Sequence, residues 1–104
     1  MKQLFLCLLW KGPHWTADET PELDALQEAH LANIDRLRRE GSLLAAGPCS
    51  PEGELRGIFV LTAADMGAAY DLVVTDPVIR AGRLRPELHP WWVDSSLFPR
   101  RVSR

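Results

Sequence analysis

Hydrophobic residues of this chain fall into four short runs, separated by segments in which they recur every three or four positions. The runs predict strands and the spaced segments predict helices. The first run covers 3–10 and ends at Gly12-Pro13. The later strands are predicted over 42–47, over 55–61 and approximately over 84–93.

A first helix is predicted between the first two strands. Thr20 is a suitable N-cap, and Pro21 suits the first helical position, where the missing N–H costs nothing. The pattern runs to Glu40 and stops at Gly41, a favourable residue after a helix. One face of this helix carries Leu23, Leu26, His30, Ile34 and Leu37. A histidine therefore stands mid-stripe, where a leucine would be the ordinary residue.

A second helix is predicted to begin at Thr62 as N-cap, with Asp65 as the capping partner three residues later. The side chains expected to point inward are Met66, Ala69, Tyr70 and Val73. The helix must end before Pro77, because the residue preceding a proline avoids helical backbone angles. Asp76 is thus expected to close this helix.

The element order β-α-β-β-α-β predicts an α+β fold on the ferredoxin-like plan. Right-handed connections then favour one four-stranded antiparallel sheet with both helices on one face. Pro86 and Pro90 predict that the last strand is irregular or lies at an edge of the sheet. Since no linker or repeat interrupts the sequence, we assign 1–94 to a single domain and 95–104 to a basic C-terminal tail.

The sheet face without helices is predicted to need a cover. The segments 4–10 and 58–61 are apolar on both faces, and soluble monomers rarely expose a contiguous apolar patch. A second copy packed sheet against sheet around a two-fold axis is the simplest cover. The alternative is that the C-terminal segment folds back over the sheet.

Composition limits the class of protein. Of 104 residues, 46% are hydrophobic and 25% are charged, as in one globular domain. Twelve basic and fourteen acidic side chains give a net charge of −2, which argues against nucleic-acid binding. Arg100, Arg101 and Arg104 lie in the tail, which we expect to be mobile, with a contact to a partner as the alternative.

Cysteine usage and the N-terminal run indicate a location in the cytoplasm. Cys7 and Cys49 belong to no Cys-x-x-Cys pair and make no disulfide framework, which fits a reducing compartment. The seven-residue apolar run is too short to span a bilayer, so no membrane partner is expected. No sequence-adjacent base or helix N-terminus activates Cys49, which makes it a weak candidate nucleophile.

His30 and Asp76 are the strongest candidates for chemistry. If both helices cover one sheet face, Asp76 should lie beside the first helix. An aspartate near a helix C-terminus is unfavourable without a partner, and a histidine supplies one. Such a pair fixes the imidazole tautomer and stabilises its protonated form, as a general base requires. The alternatives are a core histidine bonded to a backbone carbonyl and a turn aspartate bonded to its own loop.

Three stretches resemble the YCII-related (YciI-like) family: EAHL at 28–31, RREGSLLAAGP at 38–48 and TDPVIRAG at 75–82. GPHWT at 12–16 and HPWW at 89–92 look like one subgroup of it. The resemblance implies a ferredoxin-like domain that dimerises into an α/β barrel. It also implies an active-site His–Asp pair, which carries over to positions 30 and 76. One branch of the family resembles a dehydrochlorinase acting on a chlorinated hydroxyquinol, but substrate choice does not transfer.

Five further residues are candidates for ligand binding, each with a structural alternative. His14 and Trp15 follow the first strand, where they line a pocket mouth or simply anchor the loop. Gly47 either allows close backbone approach or serves a turn. His89 lines the pocket beside the helix histidine or only caps its strand. Trp91 contacts a ligand or packs in a core or dimer interface.

Three hypotheses about function follow. The leading one is a cofactor-independent small-molecule enzyme of lyase or isomerase type that uses the His–Asp pair. The second is a non-catalytic dimeric module that binds a small aromatic or acidic metabolite. The third is that the pair only ties one helix to another. No cofactor is expected, and three histidines without short spacing make a metal site improbable.

Overall fold

The computed structural model describes residues 1–98, whose strands form one four-stranded antiparallel sheet in the order β2-β3-β1-β4. The elements are β1 (Lys2–Lys11), α1 (Pro21–Arg39), β2 (Leu43–Pro48), β3 (Leu55–Leu61), α2 (Met66–Val73), α3 (Pro77–Arg80) and β4 (Leu84–Val93). This α+β architecture is consistent with the ferredoxin-like plan. β4 lies at an edge of the sheet, as its two prolines predicted.

Helix α1 begins and ends close to where its sequence signals place it. Thr20 Oγ1 accepts a hydrogen bond from the Leu23 N–H at 3.1 Å, and Pro21 occupies the first turn. Gly41 follows the helix with φ of 84°, a backbone conformation that glycine adopts without a steric penalty. Local chemistry alone therefore sets both ends of the helix that carries His30.

The second predicted helix is in fact two short helices. Asp65, and not Thr62, caps α2, where its Oδ1 accepts from the Ala68 N–H at 2.8 Å. Pro77 ends one helical stretch and starts the next, because proline suits a first helical position. Asp76 is consequently the N-cap of α3 rather than the last residue of a longer helix. The sequence placed this carboxylate at a helix C-terminus, where the helix dipole disfavours a negative charge. In the structure it lies at a helix N-terminus, where the dipole favours that charge.

The core lies between the helices and one face of the sheet. Its buried members on the sheet and on the helices are Phe5, Cys7, Leu9, Leu43, Phe59, Leu61, Leu37, Ala69 and Val73. Met66 and Tyr70 were predicted to point inward, but they are 38% and 52% exposed. Because α2 has only two turns, it contacts the core along the single stripe formed by Ala69 and Val73.

The opposite sheet face carries a second apolar cluster, and the end of the described chain lies against it. Leu4, Val60 and Val93 are buried there, with Phe98 packed against them. Phe98 also meets the Trp91 ring edge-on, with the centroids 6.2 Å apart. The fold-back of the C-terminal segment, our alternative cover, is thus present in part. The arginines at 100, 101 and 104 lie outside the described residues.

Both cysteines are free thiols, Cys7 buried and Cys49 partly exposed. In residues 1–98, no helix is both long enough and apolar enough to cross a membrane.

Candidate active site

His30 and Asp76 form a direct hydrogen bond between α1 and the start of α3. His30 Nδ1 lies 2.6 Å from Asp76 Oδ2, and the Asp76 side chain is 1% exposed. The other carboxylate oxygen accepts the Val78 N–H at 3.0 Å. Because an ionised carboxylate only accepts hydrogen bonds, Nδ1 is the nitrogen that carries the proton. The predicted pair is therefore formed, with the imidazole tautomer set by a buried partner.

A polar contact one turn further along α1 holds the two segments in register. Thr75 Oγ1 accepts from Asn33 Nδ2 and from an Arg36 guanidinium nitrogen, both at 3.1 Å, and donates to the Leu72 carbonyl at 2.6 Å. Thr75 immediately precedes Asp76, and Asn33 follows His30 by three residues. Sequence reasoning missed this contact, although the i, i+3 spacing on α1 was a usable signal.

The second imidazole nitrogen of His30 is accessible to a ligand. In the described part of the chain, no buried side-chain nitrogen or oxygen lacks a hydrogen-bond partner. Since Nδ1 makes the only hydrogen bond of the ring to residues 1–98, Nε2 must be solvent-accessible in this part of the chain. The ring lies nearly parallel to Phe59, with an interplanar angle of 21° and centroids 6.2 Å apart. The pair thus presents one free nitrogen from a fixed ring.

That space is a pocket of about 300 Å³ between α1 and the sheet. Its lining residues are Leu9, Gln27, His30, Leu31, Ile34, Ala46, Gly47, Pro48, Arg56, Gly57, Phe59 and Leu84. A second hollow of about 200 Å³ shares His30 with it and adds Trp15, Val78 and Arg83. A site of this size and mainly apolar lining suits a single-ring molecule.

Cationic side chains surround Trp15 where the second hollow opens. The guanidinium carbons of Arg83 and Arg56 lie 4.2 and 4.9 Å from the indole centroid, and Lys11 Nζ lies at 5.4 Å. Glu54 pairs with Lys11 at 3.0 Å. Trp15 therefore lines the second hollow, and its role in ligand binding stays a prediction. The two arginines beside it were not anticipated. Only tertiary structure brings together Arg56 of β3 and Arg83, which immediately precedes β4.

At the floor of the pocket a glycine is needed at position 57, and not at position 47 as the sequence predicted. A Cβ added to Gly47 would meet no atom within 4 Å, so close backbone approach is not its role. A Cβ at Gly57 would lie 3.0 Å from the Gly47 carbonyl oxygen, closer than almost any real contact. Gly47 lines the pocket through its backbone, and Gly57 keeps two strands close.

His14 anchors the loop after β1 and does not line either hollow. The ring Nδ1 of His14 lies 3.0 Å from the Ala81 carbonyl oxygen, and the backbone N–H of His14 donates to the Gly82 carbonyl at 2.9 Å. Gly82 has φ of 75° and a Cβ there would meet the His14 ring at 2.8 Å. The loop-anchoring alternative is the one that these contacts support.

His89 and Trp91 lie on the opposite face of the sheet from His30. In the β1–β4 pairing His89 is opposite Leu6 and Trp91 is opposite Leu4. Leu4 belongs to the second apolar cluster and Leu6 packs against it. His89 is 52% exposed and its Nε2 lies 3.5 Å from Glu87 Oε2. Because neighbouring residues of a strand alternate between faces, the register separates these two side chains from the pocket.

The Cys7 thiol offers no nucleophile at the pair. Burial raises the pKa of the Cys7 thiol to about 12; hydrogen bonding to the Glu87 backbone opposes the rise and the charge of Asp76 adds to it. Cys7 therefore stays protonated beneath the site. Within residues 1–98, no three histidine, cysteine or acidic side chains converge as metal ligands would.

Comparison with known proteins identifies the family. The model of the YCII-related domain matches residues 4–91. The chain belongs to the YCII-related domain family. This YCII-related domain has no match among curated proteins. Its pair of His30 and Asp76 lies in two of the stretches on which the resemblance was based.

A solved structure similar to this YCII-related domain is that of 5-chloro-2-hydroxyhydroquinone dehydrochlorinase (TftG) from Burkholderia phenoliruptrix AC1100, in complex with 2,5-dihydroxybenzoquinone. The TM-score is 0.61 at 18% identity, covering 89% of this chain and 97% of that one. Identity this low shows a common fold and nothing more. It supports the four-stranded α+β architecture over nearly the whole of both chains.

Proposed function

We propose that this YCII-related domain is a small-molecule enzyme of lyase or isomerase type, in which His30 is the general base and Asp76 orients it. The observation that carries the proposal is the free Nε2 of a ring whose Nδ1 is held 2.6 Å from a buried carboxylate. A positioned base of this kind contributes about 100- to 10,000-fold to rate. The apolar pocket above Phe59 supplies a place for the substrate.

In the proposed elimination, Nε2 of His30 takes a proton from the substrate. The electron pair left behind forms the new double bond, and the leaving group departs with its own bonding pair. The imidazolium is stabilised by the Asp76 carboxylate until it returns the proton to water or to the leaving group. The net reaction is loss of one molecule of acid, and this sequence of steps uses no redox chemistry.

Chloride release tests the proposal. The protein is incubated without oxygen with 5-chloro-2-hydroxyhydroquinone, the compound in the name of the structural neighbour, and free chloride is measured with an electrode. Release above the rate in buffer supports a lyase. A compound that binds and is recovered unchanged supports the alternative of a binding module, to which the same pocket is open.

We also propose that the domain forms a homodimer through the sheet face that lacks helices. Leu6, Leu8 and Ile58 stay partly exposed there, although Phe98 packs against the cluster of Leu4, Val60 and Val93. Packing a second copy on this face would bury an apolar surface that one chain leaves open. The predicted cytoplasmic location rests on the free thiols and stays a prediction.

Light scattering after size exclusion is expected to give the mass of two chains. Leu8→Glu should give the mass of one chain, because the new charge would be desolvated between two apolar sheets. Ala32→Glu, on the exposed side of α1, is the matched control and should remain a dimer. A single-chain mass for the unmodified protein would contradict the dimer.

A further inference from the structure

Two guanidinium groups at the pocket, those of Arg56 and Arg83, form no direct ion pair within residues 1–98. Arg56 donates to the Pro51 and Gly53 carbonyls at 2.9 and 3.2 Å, and Arg83 donates to the Thr16 carbonyl at 2.8 Å. In each case one terminal nitrogen makes these bonds, and the other guanidinium nitrogens donate to no acceptor within the described residues. No carboxylate oxygen of residues 1–98 lies within 4.0 Å of either guanidinium group, whereas Lys11 beside them pairs with Glu54 at 3.0 Å. The charge of Arg56 does help to lower the pKa of Glu52, but Glu52 lines neither hollow.

A strand irregularity brings Arg56 into the site. Along β1 and β3 the pairing runs from Leu9 with Gly57 to Trp10 with Leu55, so Arg56 is an extra residue without a partner. Bulges of this kind bend the strand and re-aim a side chain, and they are common beside active sites. Here the bulge coincides with an arginine that lines both hollows next to His30.

The charge distribution at the site favours an anion. The hollow that contains His30, Arg56 and Arg83 is lined by no carboxylate among the described residues. Asp76 lies behind the imidazole and is already bonded at both oxygens. Two like charges that stack on one indole repel each other, and an anion between their free donors would relieve this repulsion.

From this arrangement we infer that the pocket takes a small, single-ring molecule with an anionic oxygen group, which Arg56 and Arg83 bind while the ring faces His30. Arginine forks match a carboxylate, or the paired oxygens of an acidic hydroxyquinone, in a bidentate manner. Leu9, Ile34 and Phe59 contact the ring. This inference deepens the proposed function and rests on it for the orientation of the ring toward Nε2.

The arginines would also assist the proposed reaction. Removal of a proton by a neutral imidazole leaves negative charge on the substrate, and a hydroxyquinone or enol spreads that charge onto its oxygens. Fixed cations close to those oxygens stabilise the charge as it develops. Arg56 and Arg83 would then both bind the substrate and stabilise the transition state. Because they contribute to binding as well as to rate, a binding measurement distinguishes their role from that of His30.

The test compares benzoate with benzamide, which share one shape and differ in charge, in NMR titrations of the full chain. Benzoate is expected to bind at least tenfold more tightly. Arg83→Gln should weaken benzoate about 10- to 100-fold, the range for a hydrogen bond to a charged group, and leave benzamide unchanged. Arg39→Gln, which removes the same charge from an exposed pair with Asp35, should change neither.

Arg56→Lys controls for a change in the conformation of the loop whose Pro51 and Gly53 carbonyls Arg56 binds. It keeps the charge without the fork, so benzoate should bind less tightly than to the unmodified protein but more tightly than to Arg56→Gln. Equal affinities for benzoate and benzamide, equal losses of both in the arginine variants, or no binding of benzoate would each overturn the inference.

His30→Gln separates this inference from the proposed function. If benzoate binding depends on the arginines and survives in His30→Gln, the anion site stands whether or not the protein releases chloride. If chloride release depends on His30 while benzoate and benzamide bind alike, the general-base role is supported and the anion site is contradicted.

Discussion

Replacing His30 by glutamine is expected to slow the chloride release that we propose for this domain by about 100- to 10,000-fold, with 5-chloro-2-hydroxyhydroquinone as the test compound. Glutamine fills a similar volume and can donate to Asp76, so the helix contact is kept, but it has no basic nitrogen to present to the pocket. Initial rates at saturating substrate give the loss directly. A melting temperature close to that of the unmodified protein would show that the fold is intact.

His89→Gln is the matched control for that experiment. It makes the same substitution on β4 but on the sheet face away from the pocket, where the side chain is half exposed beside Glu87. Its rate should stay within about twofold of the unmodified protein. A rate for His30→Gln that also stayed within a few-fold would exclude the general-base role and leave the pair as a structural contact.

Asp76→Ala is expected to lower the free energy of unfolding by about 2–4 kcal/mol. The change removes the cap of α3, worth about 1 kcal/mol, and a buried bond to His30, worth about 1.5–3 kcal/mol. The Asp76 side chain is 1% exposed, so bulk water does not reach the hydrogen-bonding groups that its removal would leave without a partner. Urea unfolding monitored by circular dichroism measures the loss.

Asp65→Ala calibrates the capping part of this effect. Asp65 caps the neighbouring α2 through one bond to the Ala68 N–H and makes no contact with a histidine. Its loss should be about 1 kcal/mol. If Asp76→Ala costs no more than Asp65→Ala, the bond to His30 contributes nothing to stability. A double-mutant cycle with His30→Gln then measures the coupling of the pair itself.

Asp76→Asn separates orientation from stability. The amide oxygen can still accept from the Val78 N–H, so α3 keeps its cap and the protein should lose less stability than in Asp76→Ala. The neutral amide cannot stabilise an imidazolium, so turnover should fall while the fold holds. This split between rate and stability is the behaviour that distinguishes a positioning residue from a merely structural one.

Local chemistry made much of the fold predictable. Thr20, Pro21 and Gly41 mark the ends of α1, and the apolar runs mark the strands, because capping and side-chain periodicity depend on neighbours within a few residues. The same reasoning misplaced the second helix. Thr62 and Asp65 are both good caps, and the local pattern does not decide which of them is used.

The candidate site was predictable only in part. His30 was conspicuous because it interrupts an apolar stripe, and Asp76 because it precedes Pro77. Arg56 gave no signal, since its role depends on a bulge in a pairing between strands that are distant in sequence. The register of β4 against β1 likewise decided that His89 faces away from the pocket.

By itself, the sequence determined the order of strands and helices and nominated an imidazole and a carboxylate as partners, since periodicity and caps are local properties. The tertiary structure alone decided that these two groups touch, that one ring nitrogen opens into a pocket, and that two arginines face it. Those facts depend on the register and crossing of elements far apart along the chain, which no local pattern specifies.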